Sequence, residues 1–400
     1  MRQYQPGKNI NPICACILVL SLAMAGSPVF ADKYVDHRAG HIRVMTQNLY
    51  VGTDILDIAL APGLCELLDA THAAVDQILA NDFQQRAEAL ARLIARKRPA
   101  VVGLQEAYRV ILLDMNGTPF HFEDYPAMLL SALSGQGVSY YAAGTRASKA
   151  ITVPADSNGD CDPAAPSLAS ADYLGRIVDH DVILCRSDIA CDSAIASNFV
   201  TNAEASTPAG PVAVERGWVS VVASVQGRDY RVVDTHLEID VDPAFRAVQY
   251  AQAVELAFKL DFLAGDGLPQ IVLGDFNSND SPVLPSCDYF DPCLSGYQVM
   301  VESGFDDLWL KRRGKSKDGF TCCQDVDLLN FDSHLSIRID QVWARGSSGH
   351  YGGPEVRKVR AGVVGDKQRD RSSPDNLWPS DHAGVIADLV LRSPRFKLRH

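Results

Sequence analysis

Residues 270–277 of the chain are Gln-Ile-Val-Leu-Gly-Asp-Phe-Asn. The short apolar run predicts a buried strand, and Gly274 ends it. Because side chains two residues apart on a strand lie on the same side, Asp275 and Asn277 are expected to point into one pocket. There a carboxylate can take a proton from water while an amide positions the water or a phosphate oxygen. The simpler interpretation is a strand followed by an Asx turn.

Other predicted strands carry polar side chains of the same kind. The candidates are Asn48 after strand 41–45, Glu106 after strand 100–104, His236 after strand 230–234, Asp340 within strand 337–343, and Asp381 and His382 before strand 384–391. Taken singly, Asn48 and Asp381 could cap turns or helices, and His236 could be a satisfied core histidine. Asp340 is harder to explain, because a carboxylate in an apolar strand needs a partner. Together these residues would meet at one rim of a sheet sandwich, where carboxylate and amide oxygens suit Mg²⁺ or Mn²⁺.

The order of predicted elements indicates an α/β architecture. The chain gives strand–helix–strand, then a run of strands, then helix–strand–strand, with helices beginning at Phe83 and Pro243. The second helix has a predicted apolar face that includes Val254 and Phe258. A doubly wound parallel sheet needs fewer consecutive strands, so we predict a sandwich of two mixed sheets flanked by helices. One catalytic domain would span residues 32–400, with long loop insertions at 52–82, 107–136, 146–179 and 281–335.

The N-terminal segment has the composition of a secretory signal peptide. Arg2 and Lys8 precede a nearly continuous apolar run over residues 13–25, and small residues surround Ala31. We therefore predict that residues 1–31 are removed near Ala31 and that the protein is secreted or periplasmic. A retained membrane anchor is the alternative, although the apolar run is short for a bilayer span.

Three of the four predicted insertions contain cysteine. Eight cysteines follow residue 31, namely Cys65, Cys161, Cys185, Cys191, Cys287, Cys293, Cys322 and Cys323. An even number in an exported chain indicates disulfides. The equal short spacing predicts the pairs Cys185–Cys191 and Cys287–Cys293, whereas adjacent Cys322 and Cys323 are each expected to find a distant partner. A zinc site is the alternative, but no Cys-x-x-Cys or paired-histidine spacing supports it.

The chain is strongly acidic, with a formal net charge of -12. It therefore lacks the broad basic face that gives a protein non-specific affinity for nucleic acids. This argues against a large nucleic-acid footprint. A small footprint is still compatible, because a bound metal adds local positive charge.

Six short segments occur together in a characteristic order. They are Thr46–Asn48, Gly103–Glu106, Asp234–Leu237, Gly274–Asn277, Arg338–Val342 and Ser380–His382. In this order they resemble the endonuclease/exonuclease/phosphatase superfamily, which has the deoxyribonuclease I-like fold, from about Asn48 to Asp388. The resemblance implies a four-layered α/β sandwich of two mixed β-sheets flanked by helices. It also implies hydrolysis of phosphate esters with the help of Mg²⁺ (or Mn²⁺).

The resemblance assigns a metal site and a site of water attack. Glu106 is implied as the main metal ligand, helped by Asn48 and Asp381. Asp275 is implied to orient or deprotonate the attacking water. Asn277 is implied to position that water or the phosphate.

The resemblance also gives roles to the two histidines. His382, oriented by Asp340, is implied to contact the phosphoryl oxygens. His236 is implied to bind the phosphate or to assist the leaving group, and the sequence does not identify its partner.

The expected function is that of a secreted, metal-dependent phosphodiesterase, either nuclease-like or sphingomyelinase-like. One alternative is a phosphomonoesterase acting on sugar or inositol phosphates. Another is a secreted binding protein on an inactive scaffold, which predicts the loss of a core residue, and none is missing. The expected partner is the phosphate-ester substrate alone, whether nucleic acid, phospholipid or small ester. We expect a monomer with no stable protein partner.

Overall fold

The computed structural model describes residues 40–280, 294–312, 318–346 and 356–391. The signal peptide and the Cys287–Cys293 pair lie outside these residues, so both stay predictions, as do the domain bounds. Among the described residues no helix combines the length and the apolar character needed to cross a membrane.

The first sheet has six strands. In order across the sheet they are β17 (Val356–Val364), β18 (Gly384–Leu391), β1 (His41–Asn48), β2 (Val101–Gln105), β8 (His180–Arg186) and β5 (Tyr140–Ala147). β1 runs parallel to β2 and antiparallel to β18, so the sheet is mixed. Because Asn48 pairs with Gln105, β1 and β2 end at one edge, and Asn48 and Glu106 leave the sheet together.

The second sheet also has six strands. In order they are β15 (Asp306–Asp307), β16 (Asp340–Arg345), β14 (Gln270–Asp275), β13 (Arg228–His236), β12 (Gly217–Val225) and β9 (Ala190–Asn198). β13 and β14 are parallel, and β14 and β16 are antiparallel. Asp275 is paired with His236 on one side and with Asp340 on the other. The register therefore places three predicted site residues side by side at one edge.

The two sheets pack face to face, and helices cover their outer faces. Val44 and Val101 of the first sheet share an apolar core with Val232 and Ile271 of the second. Strands buried on both faces need nearly continuous apolar runs, as in β2 and β14. The predicted four-layered sandwich of two mixed sheets between helices is confirmed.

Seven helices are described. They are α1 (Leu56–Ala59), α2 (Leu64–Ala80), α3 (Phe83–Lys97), α4 (Tyr125–Gly135), α5 (Pro243–Leu263), α6 (Gly296–Glu302) and α7 (Leu308–Lys311). α5 begins at Pro243, as predicted, but its predicted apolar face is wrong. Val254 and Phe258 are 43% and 69% exposed, whereas Leu256 and Leu260 are buried. α5 has apolar residues on more than one side, so spacing alone did not decide which side faces the sheet.

Each of the four predicted insertions contains helices or strands, so none is a loop throughout. Residues 52–82 contain α1 and α2, and α2 buries Leu67, Leu68 and Ile78 at helical spacing. Residues 107–136 contain α4 and two strands of a third sheet. Its four strands, in order, are β4 (Pro119–Asp124), β3 (Arg109–Asp114), β7 (Tyr173–Val178) and β6 (Ile151–Ala155). A separate hairpin consists of β10 (Ala203–Thr207) and β11 (Gly210–Val214).

Three disulfides lie within the described residues. Cys185–Cys191 is present, as predicted, and Cys65–Cys161 joins α2 to the loop after β6. The prediction of distant partners for Cys322 and Cys323 is wrong, because these two cysteines are paired with each other. The other described cysteines are already taken by the first two disulfides, which leaves the adjacent pair to close on itself.

Candidate active site

The predicted site residues come together at the shared edge of the two six-stranded sheets. Six of them line one cavity of about 770 Å³, namely Glu106, His236, Asp275, Asn277, Asp381 and His382. The other two, Asn48 and Asp340, contact residues that line it. Asn48 donates a hydrogen bond to Glu106, and Asp340 accepts one from His382. All eight residues are therefore neighbours in space.

The backbone is strained where strands enter the site. Tyr50, Glu106 and Asn277 have φ values of 62°, 51° and 47°, in the left-handed region that non-glycine residues seldom adopt. Each lies one or two residues beyond a strand end. Strain of this kind persists only where the surrounding contacts enforce it, and it is concentrated at functional sites.

Asn48 connects the carboxylates of the two sheets. Its amide nitrogen donates to Glu106 Oε1 at 3.0 Å and to Asp275 Oδ2 at 3.1 Å. Its Oδ1 accepts from the backbone N–H of Tyr50 at 2.9 Å. Glu106 Oε2 accepts from the N–H of Val51 at 3.1 Å, which fixes the second carboxylate oxygen. Asn48 thus meets both carboxylates through its nitrogen.

Asp275 and Asn277 are oriented as a pair. Asp275 Oδ1 accepts from the backbone N–H of Asn277 at 2.9 Å, and Asn277 Nδ2 donates to the carbonyl of Leu237 at 2.9 Å. The Asx turn considered as an alternative is therefore present, and it organises the site. Burial, followed by the negative charge of Asp340, raises the pKa of Asp275 to about 6. A carboxylate with such a pKa is a suitable base near neutral pH.

His382 is held by a buried carboxylate. Its Nδ1 donates to Asp340 Oδ2 at 2.8 Å and lies 3.8 Å from Asp275 Oδ2. Burial alone would lower the pKa of His382, but the charges of Asp340, Asp381 and Asp275 outweigh it and raise the pKa well above its ordinary value. His382 is therefore an imidazolium at neutral pH, and its Nε2–H is left for a ligand.

His236 is held by a guanidinium group. Arg216 Nη1 donates to His236 Nδ1 at 2.8 Å, and this is the partner that the sequence did not identify. Because arginine can only donate, Nδ1 must accept and the ring proton lies on Nε2. That Nε2–H can be accepted by Asp275 Oδ2 at 3.5 Å, but not by the Asn277 amide nitrogen at 3.1 Å, which is itself a donor. Burial, with the positive charge of Arg216, lowers the pKa of His236 well below its ordinary value, so the ring is neutral.

The sequence matches the Endonuclease/Exonuclease/phosphatase family over residues 45–382. This range covers most of the chain and contains all eight predicted site residues. The chain belongs to this family. None of the curated proteins compared with it is a significant match.

Solved structures include distant neighbours of the chain. Truncated Caenorhabditis elegans TDP2 is 16% identical, with a TM-score of 0.46 over 88% of this chain and 97% of that one. A mannosyl-6-phosphatase from Bacteroides thetaiotaomicron is 18% identical, with a TM-score of 0.49 over 87% and 99%. A family member from Beutenbergia cavernae is 21% identical, with a TM-score of 0.47 over 88% and 72%.

The family implies a divalent cation, and two carboxylates of this site fit one. Glu106 and Asp381 both line the cavity. Burial, followed by the negative charge of Asp381, raises the pKa of Glu106 to about 7. Burial also raises the pKa of Asp381. Two buried carboxylates of this kind are a donor set suited to a hard cation such as Mg²⁺ or Mn²⁺. Asp275, Asp340 and His382 also approach within 4.8 Å of one another, but there the His382 Nδ1–H already occupies Asp340 Oδ2.

Sequence reasoning missed several residues that hold this family site in place. Arg86 is fully buried on α3 and donates to the backbone carbonyls of Leu49, Tyr50 and Pro379. It thus ties the end of β1 to the segment before Asp381. The helical spacing of α3 placed Arg86 between apolar positions, but it did not show that the guanidinium points inward.

Ser380 makes a second connection between the same two segments. Its hydroxyl donates to the carbonyl of Asn48 at 2.8 Å and accepts from the N–H of His382 at 3.1 Å. Arg86 and Ser380 therefore fix the position of Asp381 and His382 relative to β1. The motif Ser-Asp-His includes this serine, whose role only the structure makes visible.

Proposed function

We propose that the protein is an exported, divalent-cation-dependent phosphodiesterase of the sphingomyelinase-like kind, which hydrolyses phospholipid phosphodiesters. The observation that carries this proposal is a cavity lined by two chemically different sets of residues. Glu106, Asp275 and His382 form the first set, which we call the catalytic end, and apolar side chains form the second, which we call the apolar wall. A phosphodiester with an apolar tail matches both sets at once.

The catalytic end supports metal-assisted attack of water on phosphorus. Asp275, with its pKa near 6, would take a proton from the water, and Asn277 would hold that water in line. The His382 imidazolium would donate through Nε2 to a phosphoryl oxygen. Glu106 and Asp381 would hold the cation, whose chemistry is to offset the charge that builds on the phosphoryl oxygens.

Asn48 and His236 take roles in this proposal that differ from the family-based expectation. Asn48 would position Glu106 and Asp275 through its amide nitrogen rather than bind the cation through its oxygen. His236 is neutral with its proton on Nε2, which suits donation of a hydrogen bond to the phosphate. A neutral ring with a lowered pKa is a poor donor of a full proton to a leaving group.

The apolar wall supports a lipid substrate over a nucleic acid. Ile58 from α1, Val153 from β6 and Val212 from β11 line the same cavity as the catalytic residues. Leu60, just beyond α1, is 75% exposed, and Val241, at the cavity, is 58% exposed. Burial of a single methylene is worth about 0.8 kcal/mol, so such a wall discriminates strongly between long and short acyl chains. The acidic net charge of -12 disfavours a polyanionic substrate.

Export is supported by the disulfides and by the N-terminal sequence. Cys65–Cys161 and Cys185–Cys191 are of the kind that form and persist in oxidising compartments. Residues 1–31 have the pattern of a secretory signal peptide.

A substrate panel tests the function. Purified protein from residue 32 onward would be given sphingomyelin, phosphatidylcholine, plasmid DNA, RNA and soluble phosphomonoesters, each with Mg²⁺ and with excess EDTA. We expect release of the phosphorylated headgroup from the lipids, inhibited by EDTA and abolished by Glu106→Gln. Cleavage of DNA, RNA or a phosphomonoester without lipid hydrolysis would reject the lipid assignment, and undiminished activity in EDTA would reject the cation.

A pair of matched variants tests the apolar wall separately. Val212→Asp places a charge at the cavity, whereas Val200→Asp places one at a valine that is 89% exposed and does not line it. We expect Val212→Asp to lower kcat/KM for a long-chain phosphodiester by about 10-fold or more and to spare a short soluble phosphodiester. Val200→Asp should change neither. Equal losses on both substrates in Val212→Asp would show that the wall does not bind the tail.

A further inference from the structure

The disulfide Cys322–Cys323 lies at the catalytic end of the cavity, beside His382. The two sulfur atoms and a ring nitrogen of His382 all lie within 4.8 Å of one another. Both cysteines line the cavity. Cys322 is buried, at 2% exposure, whereas Cys323 is exposed, so the pair is open to solution on the Cys323 side.

Backbone hydrogen bonds hold this pair against the catalytic segment independently of the S–S bond. The N–H of Ala383 donates to the carbonyl of Thr321 at 2.7 Å, and the N–H of Gln324 donates to the carbonyl of Asp381 at 2.8 Å. Along one segment, one bond lies before the two cysteines and the other lies after them. Along the other segment, the same two bonds lie on either side of His382. Breaking the disulfide therefore leaves both sulfur atoms facing the histidine.

The same segment is also attached to the partner of His382. Thr321 Oγ1 accepts from the backbone N–H groups of Ile339 and Asp340, both at 3.1 Å. Asp340 in turn occupies Nδ1 of His382, which leaves Nε2 as the nitrogen that a cation can take. Histidines that bind metals commonly donate their other N–H to a carboxylate, as His382 does.

We propose that reduction of Cys322–Cys323 by a dithiol creates a site for a thiophilic divalent cation, Zn²⁺ or Cd²⁺, bound by both cysteines and His382. Two thiolates and an imidazole are three protein ligands of a zinc-type site, with a fourth position open to water. Thiolates select such cations over Mg²⁺, which prefers oxygen ligands. Occupation of this site withdraws His382 from the phosphoryl oxygens, so it stops the hydrolysis described under the proposed function, on which that consequence rests.

The chemistry balances without any further reagent. The dithiol supplies two electrons and two protons, the S–S bond breaks, two thiols form, and the dithiol becomes a disulfide. When the cation binds, both thiols and the His382 Nε2–H release their protons to solvent. The reduced pair without a cation leaves His382 free, so reduction alone is not inhibitory.

Cadmium binding is the direct test, because Cd²⁺–thiolate bonds absorb in the ultraviolet. Protein from residue 32 onward would be reduced with a dithiol, desalted without oxygen and titrated with Cd²⁺ in excess Mg²⁺, with lipid hydrolysis followed in parallel. We expect the absorption to saturate with one Cd²⁺ bound at the site and hydrolysis to fall in proportion. The oxidised protein should show neither change at the same Cd²⁺ concentrations.

Variants separate this site from the other cysteines. Cys322→Ser with Cys323→Ser should lose this absorption step, whereas the matched control Cys185→Ser with Cys191→Ser should keep it. His382→Ala should keep the thiolate absorption but weaken Cd²⁺ binding by about 10- to 100-fold. An unchanged titration in the Cys322/Cys323 variant, or unchanged affinity in His382→Ala, would overturn the proposal. Because the absorption does not depend on turnover, failure of the proposed function on every substrate would leave this test intact.

Discussion

The two histidines of the site lie in one cavity but in opposite electrostatic surroundings. His382 precedes β18 of the first sheet and is held by the Asp340 carboxylate at 2.8 Å. His236 ends β13 of the second sheet and is held by the Arg216 guanidinium at 2.8 Å. The pKa of His382 is raised and the pKa of His236 is lowered, so one ring is charged and the other neutral at the same pH.

This difference shows how one residue type can serve two purposes. The His382 imidazolium brings positive charge to the phosphoryl oxygens, whereas neutral His236 offers one directed N–H. Asp340 and Arg216 have the same geometric task, which is to fix the ring through Nδ1. Burial lowers the pKa of both rings; at His382 the charges of Asp340, Asp381 and Asp275 outweigh it, whereas at His236 the charge of Arg216 adds to it. The charged groups around each histidine therefore separate the chemistry of the two rings.

The largest expected effect comes from breaking the charged pair. Asp340→Asn keeps the shape of the strand but removes the charge that holds the imidazolium, and His382→Ala removes the ring. Each should lower kcat by about 10³-fold, within the range for lost acid–base or charge stabilisation. Because the two residues act as one unit, the double variant should be little worse than either single variant.

A matched control guards this result against a merely structural role. Asp388→Asn, on β18, also removes an ion-paired carboxylate, which binds Arg43 at 2.6 Å away from the cavity. It should lower Tm while leaving kcat unchanged. Rate losses that multiply in the Asp340/His382 double variant, or an Asp340→Asn variant that loses only Tm, would contradict the coupled pair.

A smaller effect is expected from breaking the neutral pair. Arg216→Gln should lower kcat/KM by about 10- to 100-fold, the range for residues that orient a functional histidine. The loss of a positive charge should also raise the pKa of His236. Arg231→Gln is the control, because Arg231 is equally buried on β13, pairs with Asp266 at 2.7 Å, and lies about 16 Å along the strand from His236. Equal losses of kcat/KM in both variants would argue against a specific role for Arg216.

The smallest expected effect is a shift in the pH dependence of turnover. Glu106 and Asp275 have pKa values raised to about 7 and about 6. Both act as carboxylates, so protonation should reduce kcat/KM as the pH falls through this window, and activity should be complete above it. Raising the Mg²⁺ concentration should shift the pH at which protonation of Glu106 reduces kcat/KM to a lower value, because the cation favours the ionised ligand. A pH dependence of kcat/KM that does not shift with Mg²⁺ would argue against Glu106 as the ligand.

The resemblance to the family implied the Asp340–His382 side of this comparison. The residues alone indicated only that Asp340, a carboxylate within an apolar strand, needs a partner. The Arg216–His236 side was not predictable from motifs. Arg216 lies in the short connection between β11 and β12, and it reaches His236 because β12 pairs with β13 so that Gly217 is opposite His236.

The misassigned insertions have a similar explanation. The mixed composition of residues 52–82 predicts an irregular connection, whereas the apolar residues of α2 follow helical spacing and are buried. The Cys322–Cys323 pair depends on which other cysteines are already bonded, and this is a property of the folded chain. Local patterns thus predicted the strands and their ends, whereas contacts between distant segments required the structure.

The protonation states of His236 and His382 test the account most directly. Nitrogen NMR of ¹⁵N-histidine-labelled protein at neutral pH with Mg²⁺ reports them, with resonances assigned through His236→Gln and His382→Gln. We expect both ring nitrogens of His382 to be protonated and His236 to be neutral with its proton on Nε2. A charged His236, a His236 proton on Nδ1, or a neutral His382 would contradict the opposite roles assigned to the two rings.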